Sequence, residues 1–297
     1  MIPVGWLAPR GHWDGNTLEL LFANEYYPTG LQFKHHDGYP NAATAGAILV
    51  IPGRYWFSHT TQINEAIHRY KWVLAIRISD EEDWLQPEAI EHDNIRWWIQ
   101  TPHPHGDYGD AYLFGVGHTP HFNNLPHDAP ERPLDVFLSA QDTHTRRHDC
   151  FAALETVNAE VYTNATDSFT AGLPETDYAI AMCSAKIAPC PSGPATPDSF
   201  RTYEALEAHT IPIADDWCPA FDQAGEWPRY LESGYWRTLY PDTPMPVISK
   251  YDSLPGYIAG LLEDYPRTAN RVTAWWMREK RRMARRLKSD LEALGAL

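Results

Sequence analysis

The sequence predicts an α/β chain of two domains followed by a long C-terminal helix, and three observations carry that expectation. Short, continuous apolar runs alternate with helical patterns along most of the chain, the signature of parallel strands joined by helices. A length of 297 residues suits two medium cores. From residue 267 onward the composition inverts: nine Lys and Arg face three Asp and Glu, in a chain whose net charge is −15.

In the first half, Ile2 to Ala8 reads as a strand. The loop Pro9-Arg10-Gly11-His12-Trp13-Asp14-Gly15 follows, then a helix over about Thr17 to Tyr26. Ala47 to Ile51 is a run of apolar residues ending in Pro52-Gly53, as expected for a strand buried on both faces. Ile63, Ala66, Ile67 and Tyr70 give Thr60 to Tyr70 a helical stripe, and Trp72 to Ile78 and Asn94 to Gln100 are further strands. Residues 101–133 are rich in Pro, His, Gly and Asp and show no period, which predicts loops and the crossing to a second domain. In the second half the expected order is strand Asp135–Ala140, helix Thr145–Glu155, strand Glu160–Asn164 and helix Glu175–Ala185. Strand Lys186–Cys190, helix Ser199–His209 and strand Ile211–Ala214 complete it. The domains are thus expected at 1–133 and 134–266, with a basic helix at 267–297. On that helix Met283, Leu287, Leu291 and Leu294 fall on one side, and Arg278, Lys280, Arg281, Arg282, Arg285, Arg286 and Lys288 crowd the rest.

Composition narrows the function. No apolar run is long enough to span a bilayer and no signal-peptide pattern follows Met1, so a cytoplasmic protein with no membrane partner is expected. The four cysteines lack CxxC spacing and read as reduced, buried thiols. His144 and His148 are four apart on a helix, compatible with a metal, but no signature completes the set, and no metal site is expected. Neither a GxGxxG nor a Walker A pattern is present, which removes support for hydride transfer or nucleoside-triphosphate hydrolysis.

The most specific feature lies at 184–213. It begins Ser184-Ala185-Lys186-Ile187-Ala188-Pro189-Cys190-Pro191-Ser192-Gly193. After a polar loop it continues Ser199-Phe200-Arg201-Thr202-Tyr203-Glu204-Ala205-Leu206 and ends in Ile211-Pro212-Ile213. Asp198 or Ser199 can cap the helix, and its start offers free N–H groups and a positive dipole end to an anion. This pattern resembles the sugar-nucleotide site of the exostosin-like glycosyltransferases, over roughly residues 135–218. Two departures stand out: Ala185 separates Ser184 from Lys186, and His209 stands where the family usually has Gly.

The resemblance implies the glycosyltransferase B fold, two Rossmann-like domains facing a cleft, and a nucleotide-sugar donor, with a UDP-sugar as co-substrate and no other cofactor. It implies that Ser199 and Arg201 lie near the donor diphosphate and that Glu204 faces the ribose, with Pro191, Ser192, Gly193 and Phe200 in the same site. Arg146 and Arg147 open a helix at a strand end and are further candidates for the donor phosphates. Arg201 and the helix N–H groups would stabilise the leaving diphosphate without a metal. The acceptor hydroxyl needs a base, normally from the first domain in an inverting enzyme; the candidates are Asp80, the preferred one, Asp14, Glu81 and Asp107. The acceptor is a glycan or small molecule, or a hydroxymethylated base in DNA as in phage enzymes, which the basic helix favours. A non-catalytic sugar- or nucleic-acid-binding protein and a nucleotide-sugar epimerase are the alternatives.

Overall fold

In the computed structural model two parallel sheets form, each flanked by helices. It describes all residues except 42–44, 82, 84, 86–89, 91, 104–105, 126–130, 169–170 and 224–232. The chain divides into two compact units, Met1–Val116 with Arg278–Leu297, and Gly117–Met277.

The first unit runs β1 (Ile2–Trp6), α1 (Asn16–Phe22), β2 (Phe33–Asp37), β3 (Gly46–Pro52), α2 (Gly53–Ile67), β4 (Trp72–Ile78), β5 (Ile95–Gln100) and β6 (Tyr112–Phe114). Its sheet has the order β2-β1-β3-β4-β5-β6, every pairing parallel. β3 and β4 are buried on both faces, which is why their sequences are apolar without alternation. Trp6, Leu18, Leu21, Ile48, Val50, Leu74, Ile76 and Trp98 fill one side of this sheet, and Leu49, Ile51, Ile63, Ile67, Val73 and Ala75 the other.

The second unit runs β7 (Leu134–Gln141), α3 (Thr145–Leu154), β8 (Val161–Thr166), α4 (Glu175–Cys183), β9 (Ala185–Cys190), α5 (Phe200–Glu207), β10 (Ile211–Asp215), α6 (Pro219–Gln223), α7 (Tyr235–Leu239), β11 (Val247–Ile248) and α8 (Leu254–Glu263). Its sheet, β11-β10-β9-β7-β8, is again wholly parallel. The four cysteines are free and buried.

The last helix, α9 (Tyr265–Ala293), is shared: residues to Met277 belong to the second unit, those from Arg278 to the first. Met283, Leu287, Leu291 and Leu294 join the core beneath β1, β3 and β4. Buried Asp290 accepts hydrogen bonds from Trp98 Nε1 (2.9 Å), Arg96 Nη1 (3.3 Å) and Arg286 Nε (2.7 Å). The contact units divide at 116/117, where the sequence suggested 133/134, and residues 278–297 group with the first unit. The apolar stripe of α9 completes a core that the first sheet leaves uncovered. Among the described residues no helix is long and apolar enough to cross a membrane.

Candidate functional site

The two sheets share one topology. In each, the chain leaves the first strand to one side (β1 to β2, β7 to β8) and then crosses to the other (β3, β9). Loops at the carboxyl ends diverge at such a switch point, and open α/β sheets bind ligands there. Most of the candidate residues lie at one or the other of these two places.

At the β7/β9 switch point the loop Gln141–His144 leads into α3. His144 is the N-cap residue, extended at φ −156°, and makes no side-chain cap bond, so the first-turn N–H groups lack the usual side-chain acceptor. Both His144 ring nitrogens are buried, with the Ser192 main chain beside the imidazole. Burial, then Arg147, push its pKa down to about 4, while hydrogen bonding with the Ser192 main chain acts the other way. Arg147 donates from Nη1 to Gln141 O (3.1 Å) and Thr143 Oγ1 (3.3 Å), and its Nε is buried without a partner. Burial and the Arg201 guanidinium push Arg147 down to about 10. Arg201, from the first turn of α5, donates from Nε and Nη2 to Ser139 O (3.2 and 2.9 Å). Ser192, fully buried in the loop after β9, keeps an unpartnered Oγ. Arg147, Arg201 and His144 thus lie together at the uncapped start of α3, with Asp142 near Arg147 and Glu204 near Arg201. Guanidiniums beside a helix start favour an anion there.

Other residues expected in this site are committed elsewhere. Arg146 is bidentate to Asp215, through Nε (2.9 Å) and Nη2, and its guanidinium lies 4.7 Å from the Tyr251 ring centroid. That buried carboxylate also accepts from Tyr251 OH (2.9 Å) and Trp217 N (3.1 Å). Glu204 is buried too: Oε1 accepts from Thr119 Oγ1 (2.8 Å) and Oε2 from Tyr178 OH (2.9 Å). Burial raises its pKa against those two bonds. Its carboxylate is bonded within the second unit. Ser199 caps α5 by main-chain geometry alone, its Oγ 3.4 Å from Thr202 Oγ1. Phe200 is half-buried at the start of α5, Pro191 is buried, and at Gly193 a Cβ would approach Thr196 O to 3.2 Å. His148 pairs with Asp142 (2.6 Å).

At the β1/β3 switch point a cavity of about 610 Å³ is lined by His12, Asp14, Tyr55, Ser79, Asp80 and Gln100, among others. Asp80 is wholly buried. It accepts from Leu85 N (2.9 Å), lies 3.3 Å from Arg77 Nη1, and abuts Gly53, where a Cβ would meet its Oδ1 at 2.0 Å. The preferred candidate for the base is thus ion-paired and hydrogen-bonded in the turn after β4. Asp14 does face the cavity. Ser79 Oγ donates to its Oδ2, Gln100 Nε2 to its main-chain O (2.7 Å), and His12 Nδ1 lies 3.2 Å from Oδ2. Ser79 and Thr101, which end β4 and β5 at this cavity, have left-handed backbone at φ 51° and 48°. Such strain in non-glycine residues clusters at functional sites. Glu81 also lines the cavity, whereas Asp107 is an exposed turn residue accepting from Gly109 N (3.4 Å). His12, which the sequence does not single out, also lines this cavity.

On α9, Arg278, Arg281, Arg285 and Lys288 are exposed. Arg286 is held by Asp290 and lies 5.4 Å from the Tyr112 ring centroid, and Arg282 pairs with Glu279 (3.3 Å).

No family model matches the sequence, and no curated protein matches it. Among solved structures, HepE of Anabaena, in complex with UDP and glucose, aligns over 100% of both chains with 10% identity and a TM-score of 0.46, a likeness too low to carry a function across.

Proposed function

We propose that this protein is a glycosyltransferase of the B-fold type, moving a sugar from a UDP-sugar to an acceptor hydroxyl with inversion and without a metal. One observation carries the reading: Arg147, Arg201 and His144 converge at the uncapped start of α3, and Arg147 Nε and Ser192 Oγ are buried without a hydrogen-bond partner among the described residues. A diphosphate suits a helix start flanked by two guanidiniums. The exostosin-like pattern around Ser192, Ser199 and Arg201 adds the sugar nucleotide to that anion. Arg147 and Arg201 stabilise charge as it builds on the leaving diphosphate, and Ser192 Oγ is available to a phosphate oxygen. The first unit, with its cavity at the β1/β3 switch point, is assigned to the acceptor.

The test is calorimetry with UDP, UMP and uridine, then mass spectrometry of products from a panel of UDP- and GDP-sugars. UDP is expected to bind well above uridine. The Arg147→Ala, Arg201→Ala double variant is expected to lose most of that difference, each charged contact being worth about 1.5–3 kcal/mol. Equal binding of UDP and uridine to the wild-type protein defeats the reading. The exposed basic face of α9 favours a second reading of the acceptor, DNA bearing hydroxymethylated bases, over a neutral glycan.

A further inference from the structure

We propose that Tyr55 is the platform on which the acceptor lies, that His59 holds it in place, and that the acceptor is a neutral hydroxylated ring, a sugar or a cyclic polyol of that size. The inference rests on the glycosyltransferase reading above, and on the cavity at the β1/β3 switch point as the acceptor's place. That cavity, about 610 Å³, lies within the range of small-molecule sites, about 300–1,000 Å³.

Helix α2 presents Tyr55 to the cavity. It follows β3 directly, with Pro52 as its N-cap residue, so Arg54 and Tyr55 emerge at the carboxyl end of the sheet and line the cavity. The helix then bends: His59, inside it, has φ −133° and ψ 23°. Around the bend three successive carbonyls each take a side-chain bond from four residues further on. Ser58 Oγ donates to Arg54 O (3.1 Å), His59 Nδ1 to Tyr55 O (3.1 Å) and Thr60 Oγ1 to Trp56 O (2.9 Å). Polar side chains thereby serve the carbonyls where the helix turns aside. The Nδ1 bond also fixes the imidazole, which lies face to face with the Tyr55 ring, centroids 4.1 Å apart and planes 6° apart. Tyr55, half-buried, is held at its backbone and on one ring face before any ligand arrives, which lowers the entropy lost on binding.

The rest of the lining sets the chemistry of the ligand. Leu7, Val116 and the Tyr55 ring are apolar, whereas Asp14, Ser79 and Gln100 carry donors and acceptors. A sugar ring has the same division, apolar C–H faces and a rim of hydroxyls, and an aromatic ring suits such a face. Charge argues against a phosphate. The positive end of α2 already has a carboxylate against it, since Asp80 abuts Gly53. Asp14 and Glu81 add negative charge to the lining, and Arg54, its arginine, is exposed. A nucleic acid would bring its phosphates towards these carboxylates.

The test is saturation-transfer NMR on the full chain with methyl glucoside, methyl galactoside and methyl mannoside. Ring C–H signals of at least one glycoside are expected to receive saturation from wild type and to lose most of it in Tyr55→Ala, with UDP binding by calorimetry unchanged. Tyr55→Phe, which keeps the ring, is expected to retain the signal. His59→Ala is expected to weaken binding of that glycoside, and His59→Phe, which can still stack, to restore it. In transfer to the same glycoside, Tyr55→Ala is expected to raise KM about tenfold with kcat little changed, because a platform holds ground and transition states alike. If wild type binds none of the three glycosides, or a folded Tyr55→Ala binds them as wild type does, the platform is overturned. Transfer to hydroxymethylated DNA but to no glycoside overturns the acceptor class and leaves the glycosyltransferase reading standing. Glycoside binding through Tyr55 in a protein that consumes no sugar nucleotide overturns the acceptor role together with that reading.

Discussion

His144 is a half-buried imidazole whose pKa is lowered by burial and by Arg147. Its folded-state pKa, about 4, lies below its ordinary 6.5, so between those values the unfolded chain binds more protons than the folded one. Stability of the ligand-free protein therefore falls as pH drops through that window. A bound diphosphate reverses the local field and raises the pKa of His144. Binding of UDP is then expected to take up protons near pH 6, measured as a dependence of calorimetric heat on buffer ionisation enthalpy. His144→Gln is expected to abolish that part of the uptake; unchanged uptake in the variant would place the proton elsewhere. Two neighbours give contrasting outcomes. Arg201→Ala is expected to slow transfer by the equivalent of about 2–4 kcal/mol in the transition state with folding intact. Glu204→Ala strands Thr119 Oγ1 and Tyr178 OH, and is expected to cost about 1–3 kcal/mol of stability in urea denaturation.

Among the elements, α5 shows what the sequence carries and what it withholds. Its strand–loop–helix–strand frame was legible because Ala185–Cys190 and Ile211–Asp215 are buried throughout or nearly so, and apolar runs survive translation into pattern. The helix ends in a Schellman arrangement, Thr210 N to Ala205 O (2.8 Å) and His209 N to Leu206 O (3.2 Å), with His209 at φ 55°. That is the conformation glycine adopts most easily, so the Gly-to-His departure leaves the backbone unchanged and places a strained residue on it. His209→Val is expected to destabilise by about 1 kcal/mol or more, and His209→Gly to be neutral or stabilising; equal melting temperatures for the two variants would refute this. Strands β2, β6 and β11 escaped the sequence reading for different reasons. β2, Phe33-Lys34-His35-His36-Asp37, is a polar edge strand, and the other two have three and two residues. The sites were half legible. Arg201 sits in a motif, but His144 acquires meaning only from Arg147 folded against it. The one local signal for His144 was its place before a helix, where Ser, Thr, Asp or Asn usually caps.

Across the whole molecule, one parallel topology occurs twice, and the charge is distributed against itself: an acidic chain ends in a basic helix. The structure separates two jobs within α9. Met283, Leu287, Leu291, Leu294 and Asp290 anchor it, and Arg286 is part of that anchor through Asp290 and Tyr112. Arg278, Arg281, Arg285 and Lys288 are exposed and carry no comparable structural load, so they are the residues to change if the helix meets a polyanion. Replacing these four with Gln is expected to leave the melting temperature and UDP binding at wild-type values. For a DNA acceptor, the wild-type affinity for duplex DNA falls linearly in log–log form with salt, by about 0.9 per neutralised phosphate, because each contact releases a counterion. The fourfold variant is then expected to flatten that slope by about 3–4. Asp290→Ala is the counter-experiment: it removes the partner of Trp98 Nε1 and Arg286, and is expected to lower stability while sparing the exposed face. A DNA affinity insensitive to salt, or a slope unchanged in the fourfold variant, removes DNA from the reading of this helix and leaves the glycan acceptor.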